Sequence, residues 1–481
     1  MENNKLIKPF KAIGYTKANN WLAEMFYKVD DSKTGFILSK NDECRKLHEL
    51  SFANNQNELA GNNEVSKIII PFSPTDPLIT SRCVQLPDAV GDYGSVRDLY
   101  QEIYNHTQKL MELDDKRFYA VSCVYVMMTW LYDRFNTLPY LRVIGEFGTG
   151  KSRFLSTFGN ISFRPIMIGG TASYASMFRI MDKFRGTLII DEADYSNSDM
   201  KSMIVKVLNE GHKSTGSVMR MRTLANNSMV PETFNVFGPK IIASRRPFTD
   251  DALESRCIVQ RLFPKQNTKA PTHEWDDIDQ INTRIRNKLL KFRFDHYFDT
   301  VADESTLEGI GMPRLKQTAL ALTSVAKIIG QDVLGEVVDY LKDYEIEFLN
   351  NQADSIERDV IYSIMHLKVI NERTKVYMKD IAESFNENFY QQYKTREDKE
   401  YQKHGEVLIS PGQVVSARKI GGIVKDLGLI KNQDGDGIHI NLEVNAQRLN
   451  ALVSRYGLID AFNQMTEKVK NRKTDGMTYK R

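Results

Sequence analysis

Residues 140–158 read YLRVIGEFGTGKSRFLSTF, and within them Gly145-Glu146-Phe147-Gly148-Thr149-Gly150-Lys151-Ser152 satisfies G-x-x-x-x-G-K-[ST]. The apolar run YLRVI reads as a strand and SRFLSTF as a helix, the two flanks such a loop needs. Glycines let successive backbone N–H groups curl around phosphate oxygens, and the helix N-terminus adds positive potential. Gly145, Gly148, Thr149 and Gly150 therefore form an expected cradle for ATP. Lys151 reaches the β and γ phosphates in such a site, and Ser152 ligates Mg²⁺.

Downstream, Thr187-Leu188-Ile189-Ile190-Asp191-Glu192 is a β-rich run ending in two carboxylates. An adjacent strand would bring them to the loop, Asp191 into the Mg²⁺ shell and Glu192 against the attacking water as general base. Between Pro139 and Ser244 short apolar strands alternate with helices, as in KSRFLSTFG, MKSMIVKVLNEG and PKIIAS. That alternation predicts an α/β fold with a parallel sheet.

The motifs resemble those of AAA+ P-loop ATPases. Asp191 to Asp194 spell the signature of the DEAD-box RNA helicases, but the other motifs of that family are absent. Pro239-Lys240-Ile241-Ile242-Ala243-Ser244 looks like the sensor-1 strand, with Ser244 where the related helicases have Asn. Ala252-Leu253-Glu254-Ser255-Arg256 is similar to the arginine-finger motif of minichromosome-maintenance helicases, and Pro313-Arg314-Leu315-Lys316-Gln317 to their sensor-2 element. The resemblance covers roughly residues 96–345 and implies that Arg256 completes a neighbour's site and Arg314 touches the γ-phosphate. It implies a homo-oligomeric ring, a hexamer, of the kind found in replicative helicases of plasmids, phages and pathogenicity islands. Superfamily-3 viral helicases are the other near relatives.

Between the carboxylates and the sensor strand, SVMRMRT and TFNVF are expected to pair as an inserted hairpin across the polar LANNSM. Alternation places Val218, Arg220 and Arg222 on one face, to line a pore along DNA, and the methionines on the other, to pack; Lys213 lies near the base. After about residue 355, three helices and the hairpin IKNQDGDGIHINL predict a winged helix, its turn at Asp434-Gly435-Asp436-Gly437. Arg418, Lys419 and Lys425 on its third helix and Lys431 at the wing suit duplex phosphates.

These readings divide the chain into a small mixed N-terminal domain (1–95), an ATPase core (96–265), a linker and helical lid (266–350), the winged helix (355–460) and a basic tail (461–481). Composition agrees with a globular chain: 481 residues are 41% hydrophobic and 26% charged, which excludes global disorder and fibrous classes. With 65 basic against 62 acidic residues, a net +3, any nucleic-acid surface must come from local clustering. Cys44, Cys83, Cys123 and Cys257 form no C-x-x-C pair, which argues against a zinc ribbon or a secreted disulfide framework. A cytoplasmic protein is expected, with no membrane partner, because Phe118 to Tyr132 is too short to span a bilayer and reads as a buried helix.

The expected function is ATP-driven unwinding of, or movement along, DNA in replication of a mobile genetic element. A DNA-bound switch, such as an initiator, loader or defence sensor that hydrolyses ATP without unwinding, is the alternative.

Overall fold

The computed structural model describes residues 6–9, 21–40, 43–53, 58–59, 65–169, 173–191, 198–224, 227–248, 250–264, 276–353, 356–369, 371–401 and 415–467. Two compact units divide the chain, Met1–Tyr344 and Glu345–Arg481. Glu192, the linker at 265–275, the segment 402–414 and the basic residues 468–481 lie outside the described residues.

The first unit opens with strands β1 (Leu6–Pro9), β2 (Trp21–Lys28), β3 (Lys33–Lys40), β4 (Glu43–Leu47), β5 (Leu50–Ala53), β6 (Glu58–Leu59) and β7 (Val65–Ile70). They form an antiparallel β2-β3-β4 sheet and a β1-β7-β5-β6 sheet. Helices α1 (Pro77–Thr80), α2 (Val96–Leu110) and α3 (Lys116–Thr129) follow. Every residue of α3 from Phe118 to Thr129 is buried, as a helix apolar on all faces must be. Among the described residues, no helix is long and apolar enough to cross a membrane.

Next come β8 (Tyr140–Ile144), α4 (Lys151–Gly159), β9 (Ile166–Ile168), α5 (Tyr174–Phe184), β10 (Leu188–Ile190), α6 (Ser198–Glu210), β11 (Ser217–Thr223), β12 (Met229–Asn235), β13 (Lys240–Ser244), α7 (Asp251–Glu254) and β14 (Cys257–Arg261). A parallel sheet runs in the order β14-β8-β13-β10-β9. Strands β8 and β13 are buried along their whole length, as central parallel strands covered on both faces require. The short β9 and β14, whose run CIVQR is apolar only over its first three residues, did not stand out as strands in the sequence. Helices α8 (Asp276–His296), α9 (Pro313–Ile329) and α10 (Gln331–Ala353) then give the expected helical stretch.

The opening strands share the hydrophobic clusters of this sheet: Leu22, Phe26 and Ile37 pack with α3 and β8, and Trp21, Met25 and Phe36 with β9 and β10. A buried charge network adds to this. Glu24 on β2 accepts from Arg164 (2.5 Å) and from Arg293 on α8 (2.8 Å), and Arg293 also grips Asp133 through both terminal nitrogens at 2.8 Å.

The second unit contains α11 (Ile356–Val369), β15 (Lys375–Tyr377), α12 (Met378–Tyr401), α13 (Ala417–Asp426), β16 (Lys431–Asp434), β17 (Gly437–Asn441) and α14 (Ala446–Arg455). Its sheet runs β15-β17-β16, and the hairpin turns at Gly435-Asp436 with Asp434 paired to Gly437. Gly437 takes the positive φ, +129°, and the Asp436 N–H donates to the Asp434 carboxylate at 3.1 Å. Ile420 and Val424 bury one face of α13, with Leu427 just past its end, in the core shared by α11, α12 and α14.

Candidate functional site

Parallel registration sets two edges on the five-stranded sheet. Tyr140 lies opposite Lys240 and Cys257 at the amino edge, and Ile144 opposite Ser244 and Arg261 at the carboxyl edge. In open α/β sheets ligands bind in the crevice outside the carboxyl ends. The loop 145–150 leaves β8 at that edge, and Asp191 leaves β10 there.

Gly148 (φ +77°) and Gly150 (φ +90°) adopt left-handed conformations that cost residues with a Cβ, and Gly150 stands immediately before the first turn of α4. Gly145 is held close: a Cβ there would meet the Leu262 carbonyl oxygen at 2.8 Å as well as the Thr149 hydroxyl. The Lys151 ammonium folds over the loop and donates to the carbonyls of Gly145 and Glu146, both at 2.7 Å. The Ser152 hydroxyl donates to the Asp191 carboxylate at 2.8 Å. The two expected metal ligands, distant in sequence, therefore touch.

Ser244 is fully buried. Its hydroxyl accepts from Arg142 Nε (3.1 Å) and donates to the Arg246 carbonyl (3.0 Å). Arg142, buried within β8, is balanced by Glu254 and stacks over Phe248 at 3.9 Å. Ser244 therefore anchors a buried arginine, a role that nothing in its sequence signal indicated.

Arg256 immediately precedes β14 and so stands at the amino edge. A parallel strand rises about 3.3 Å per residue, placing it about 16 Å from the carboxyl edge and out of reach of its own chain's loop. Arg256 is 9% exposed as a residue; Nε donates to His212 Nε2 at 3.2 Å and Nη1 to the Asn209 side-chain oxygen. Arg314, in the first turn of α9, donates to Gln317 at 3.0 Å. It lies close enough to Arg256 and His212 for its charge to depress the basicity of both. Among the described residues, neither arginine is within ion-pair distance of a carboxylate.

His212 and Asn209 are functional candidates that sequence reading missed, since nothing in LNEGHK marks them. His212 Nδ1–H donates to the Asn209 carbonyl at 2.8 Å, leaving Nε2 as the acceptor for Arg256. Burial, and then the Arg256 charge, push the imidazole down to about 4. Its ordinary value is about 6.5, so between those values the unfolded chain takes up a proton that the folded chain refuses. Stability is expected to be fully present above pH 6.5 and to fall as the pH drops toward 4. Denaturant midpoints measured across that window should slope less for His212→Gln than for the unaltered chain.

The inserted hairpin forms, with two corrections. β11 pairs with Met229–Asn235, which takes in only Thr233, Phe234 and Asn235 of TFNVF and extends back into the expected loop, opposing Arg220 to Glu232 and Arg222 to Val230. Val236 and Phe237 are buried on the way to β13, and the Val236 N–H donates to the Gly216 carbonyl at 3.1 Å, just beyond the start of β11. The faces are also reversed. Met219 (64% exposed), Met221 (54%) and Met229 (61%) stand outward, whereas Val218 packs inward and the Arg220 guanidinium lies 5.8 Å from the Phe178 ring on α5. The helices α5 and α6 beneath the hairpin decide this, and strand alternation alone could not say which face they take. Arg220, Arg222 and Lys213 remain exposed. In the second unit Arg418, Lys419 and Lys425 are exposed on α13, while Lys431 donates to the Gly421 carbonyl at 2.9 Å, joining the hairpin to that helix.

No protein-family model matches the chain, and no curated protein matches it in sequence. Among solved structures, it is similar to the active helicase Cch of SCCmec type IV, with 13% identity over 86% of this chain and 79% of that one and a TM-score of 0.43. It is also similar to a full-length MCM homologue from Methanopyrus kandleri, with 9% identity over 68% and 77% and a TM-score of 0.33. A third similarity, to the C-terminal region of NrS-1, has 12% identity over 81% and 94% and a TM-score of 0.25.

Proposed function

We propose that this chain is an ATPase of the AAA+ type that forms a homo-oligomeric ring, a hexamer, and uses hydrolysis to unwind or move along DNA. The observation that carries the reading is the division of the site between two edges. Loop, lysine and the Ser152–Asp191 contact gather at the carboxyl edge, whereas Arg256 and Arg314, with no carboxylate in ion-pair distance among the described residues, gather at the amino edge. Two cations beside each other call for an anion, and a neighbour's γ-phosphate is one that a head-to-tail ring would supply.

At the carboxyl edge Ser152 and Asp191 would hold Mg²⁺, which screens phosphate charge when bound. Lys151 and the backbone N–H groups at Gly148 to Lys151 would hold the β and γ phosphates. Glu192, next in sequence to Asp191, takes the general-base role. Helix, strand, two helices and a hairpin in the second unit support a winged helix, with Arg418, Lys419, Lys425 and Lys431 toward duplex phosphates. The motif order supports a place in the replication of a mobile genetic element, and the scattered cysteines fit a cytoplasmic setting.

The deciding experiment is ATP-dependent unwinding of forked DNA. Strand separation is expected; hydrolysis stimulated by DNA without strand separation would identify a DNA-bound switch. Changing Arg220 and Arg222 together to Ala should abolish unwinding and lower the salt slope of single-strand binding by about one to two units, at ~0.7 per phosphate contact. An unchanged slope, with unwinding lost instead in a Met219→Ser, Met221→Ser variant, would assign the DNA contact to the methionine face.

A further inference from the structure

Two large aromatic side chains stand exposed beside the nucleotide loop: Phe147 at its tip (89%) and Phe263 just after β14 (62%). Phe263 is placed there by Leu262, whose N–H donates to the Ile144 carbonyl at 2.7 Å as the chain passes Gly145. Exposed aromatics on a functional edge are a signature of contact surfaces.

A cavity of about 720 Å³ lies on the other side of the fold, lined by Arg134, Asn136, Lys316, Gln317, Leu320 and Ala321 among others. It adjoins the two arginines. Gln317 both lines it and accepts from Arg314. Asn136 accepts the Ser214 N–H at 2.9 Å and Thr137 bridges to Lys213, so its wall continues into His212, which holds Arg256. Leu320 and Ala321 make one wall apolar, and the Arg134 guanidinium already lies 5.2 Å from the Tyr297 ring.

We propose that Phe147 of one copy inserts into this cavity of the next. The inference rests on the reading of Arg256 and Arg314 as acting in trans. If they serve a neighbour's nucleotide, the face that carries them must lie against that neighbour's loop, and the cavity is part of that face. Phe147 is the side chain the loop presents to it. The cavity's size is that of a small-ligand pocket, ample for a benzyl group, and Arg134 and Lys316 offer cations to its ring face. Because the two surfaces differ, the contact is heterologous and repeats around a ring.

The test is cross-linking of the full chain carrying Glu146→Cys, next to Phe147 and exposed on the loop, and Ala302→Cys at the exposed rim of the cavity, with Cys44→Ser and Cys83→Ser to remove competing thiols. With ATP present, a short bis-maleimide should yield a covalent ladder that requires both introduced thiols. Phe147→Ala should reduce the assembled fraction about tenfold or more at fixed concentration, with Phe147→Leu retaining most of it. Absence of the ladder in protein that sediments as an oligomer, and whose Arg256→Ala and Lys151→Ala subunits complement one another, overturns the docking and leaves the trans arginines standing. Absence of both ladder and complementation overturns the two together.

Discussion

Mixing Arg256→Ala subunits with Lys151→Ala subunits is expected to restore ATP hydrolysis that neither protein shows alone. Each substitution by itself should lower turnover by about a thousandfold or more, since arginine fingers in trans contribute factors of that order and the loop lysine holds the same phosphates. The restoration follows from distance. Arg256 and Lys151 belong to opposite edges of one sheet, so a working site takes its lysine from one copy and its arginine from another. In an equal mixture, about one interface in four would pair an intact loop with an intact arginine, which sets the scale of recovery. Steady-state hydrolysis, read alongside fluorescence evidence that the two variants co-assemble, checks it. Co-assembled mixtures that remain inactive would remove Arg256 from the site.

Replacing Glu24 with Leu should destabilise the first unit by about 3–5 kcal/mol, the cost of leaving buried charge uncompensated. Glu24 is the shared acceptor of two buried arginines, Arg164 and Arg293, on segments far apart in the chain. Asp133 balances only one of them. A lower denaturant midpoint at unchanged slope is the expected reading. The double change Glu24→Leu, Arg164→Leu should recover part of the loss, because it removes a pair and not a partner. If Glu24→Leu unfolds at the same midpoint as the unaltered chain, the network does not hold the opening strands to the core.

Much of the loop at the carboxyl edge was legible in the sequence. A phosphate loop is a local device: glycines at Gly148 and Gly150, the lysine and the following helix are all set by consecutive residues. The paired carboxylates at the end of an apolar run, the buried helix α3 and the Asp434 to Gly437 turn are local in the same sense. Strand periodicity also located the inserted hairpin.

What only the tertiary structure decided depends on residues that meet across the fold. The order β14-β8-β13-β10-β9 set Arg256 at the edge opposite its own loop and put Arg314 beside it, a proximity that no spacing between residues 256 and 314 encodes. The same packing bound Ser244 to Arg142, gave Arg256 its partners His212 and Asn209, and gathered Glu24, Arg164, Arg293 and Asp133. Alternation along β11 divided its side chains into two faces correctly, yet which face meets the protein was settled by α5 and α6. Local pattern determines the conformation of a segment, because its causes lie within a few residues; burial and charge pairing are determined by whatever the rest of the chain brings against it.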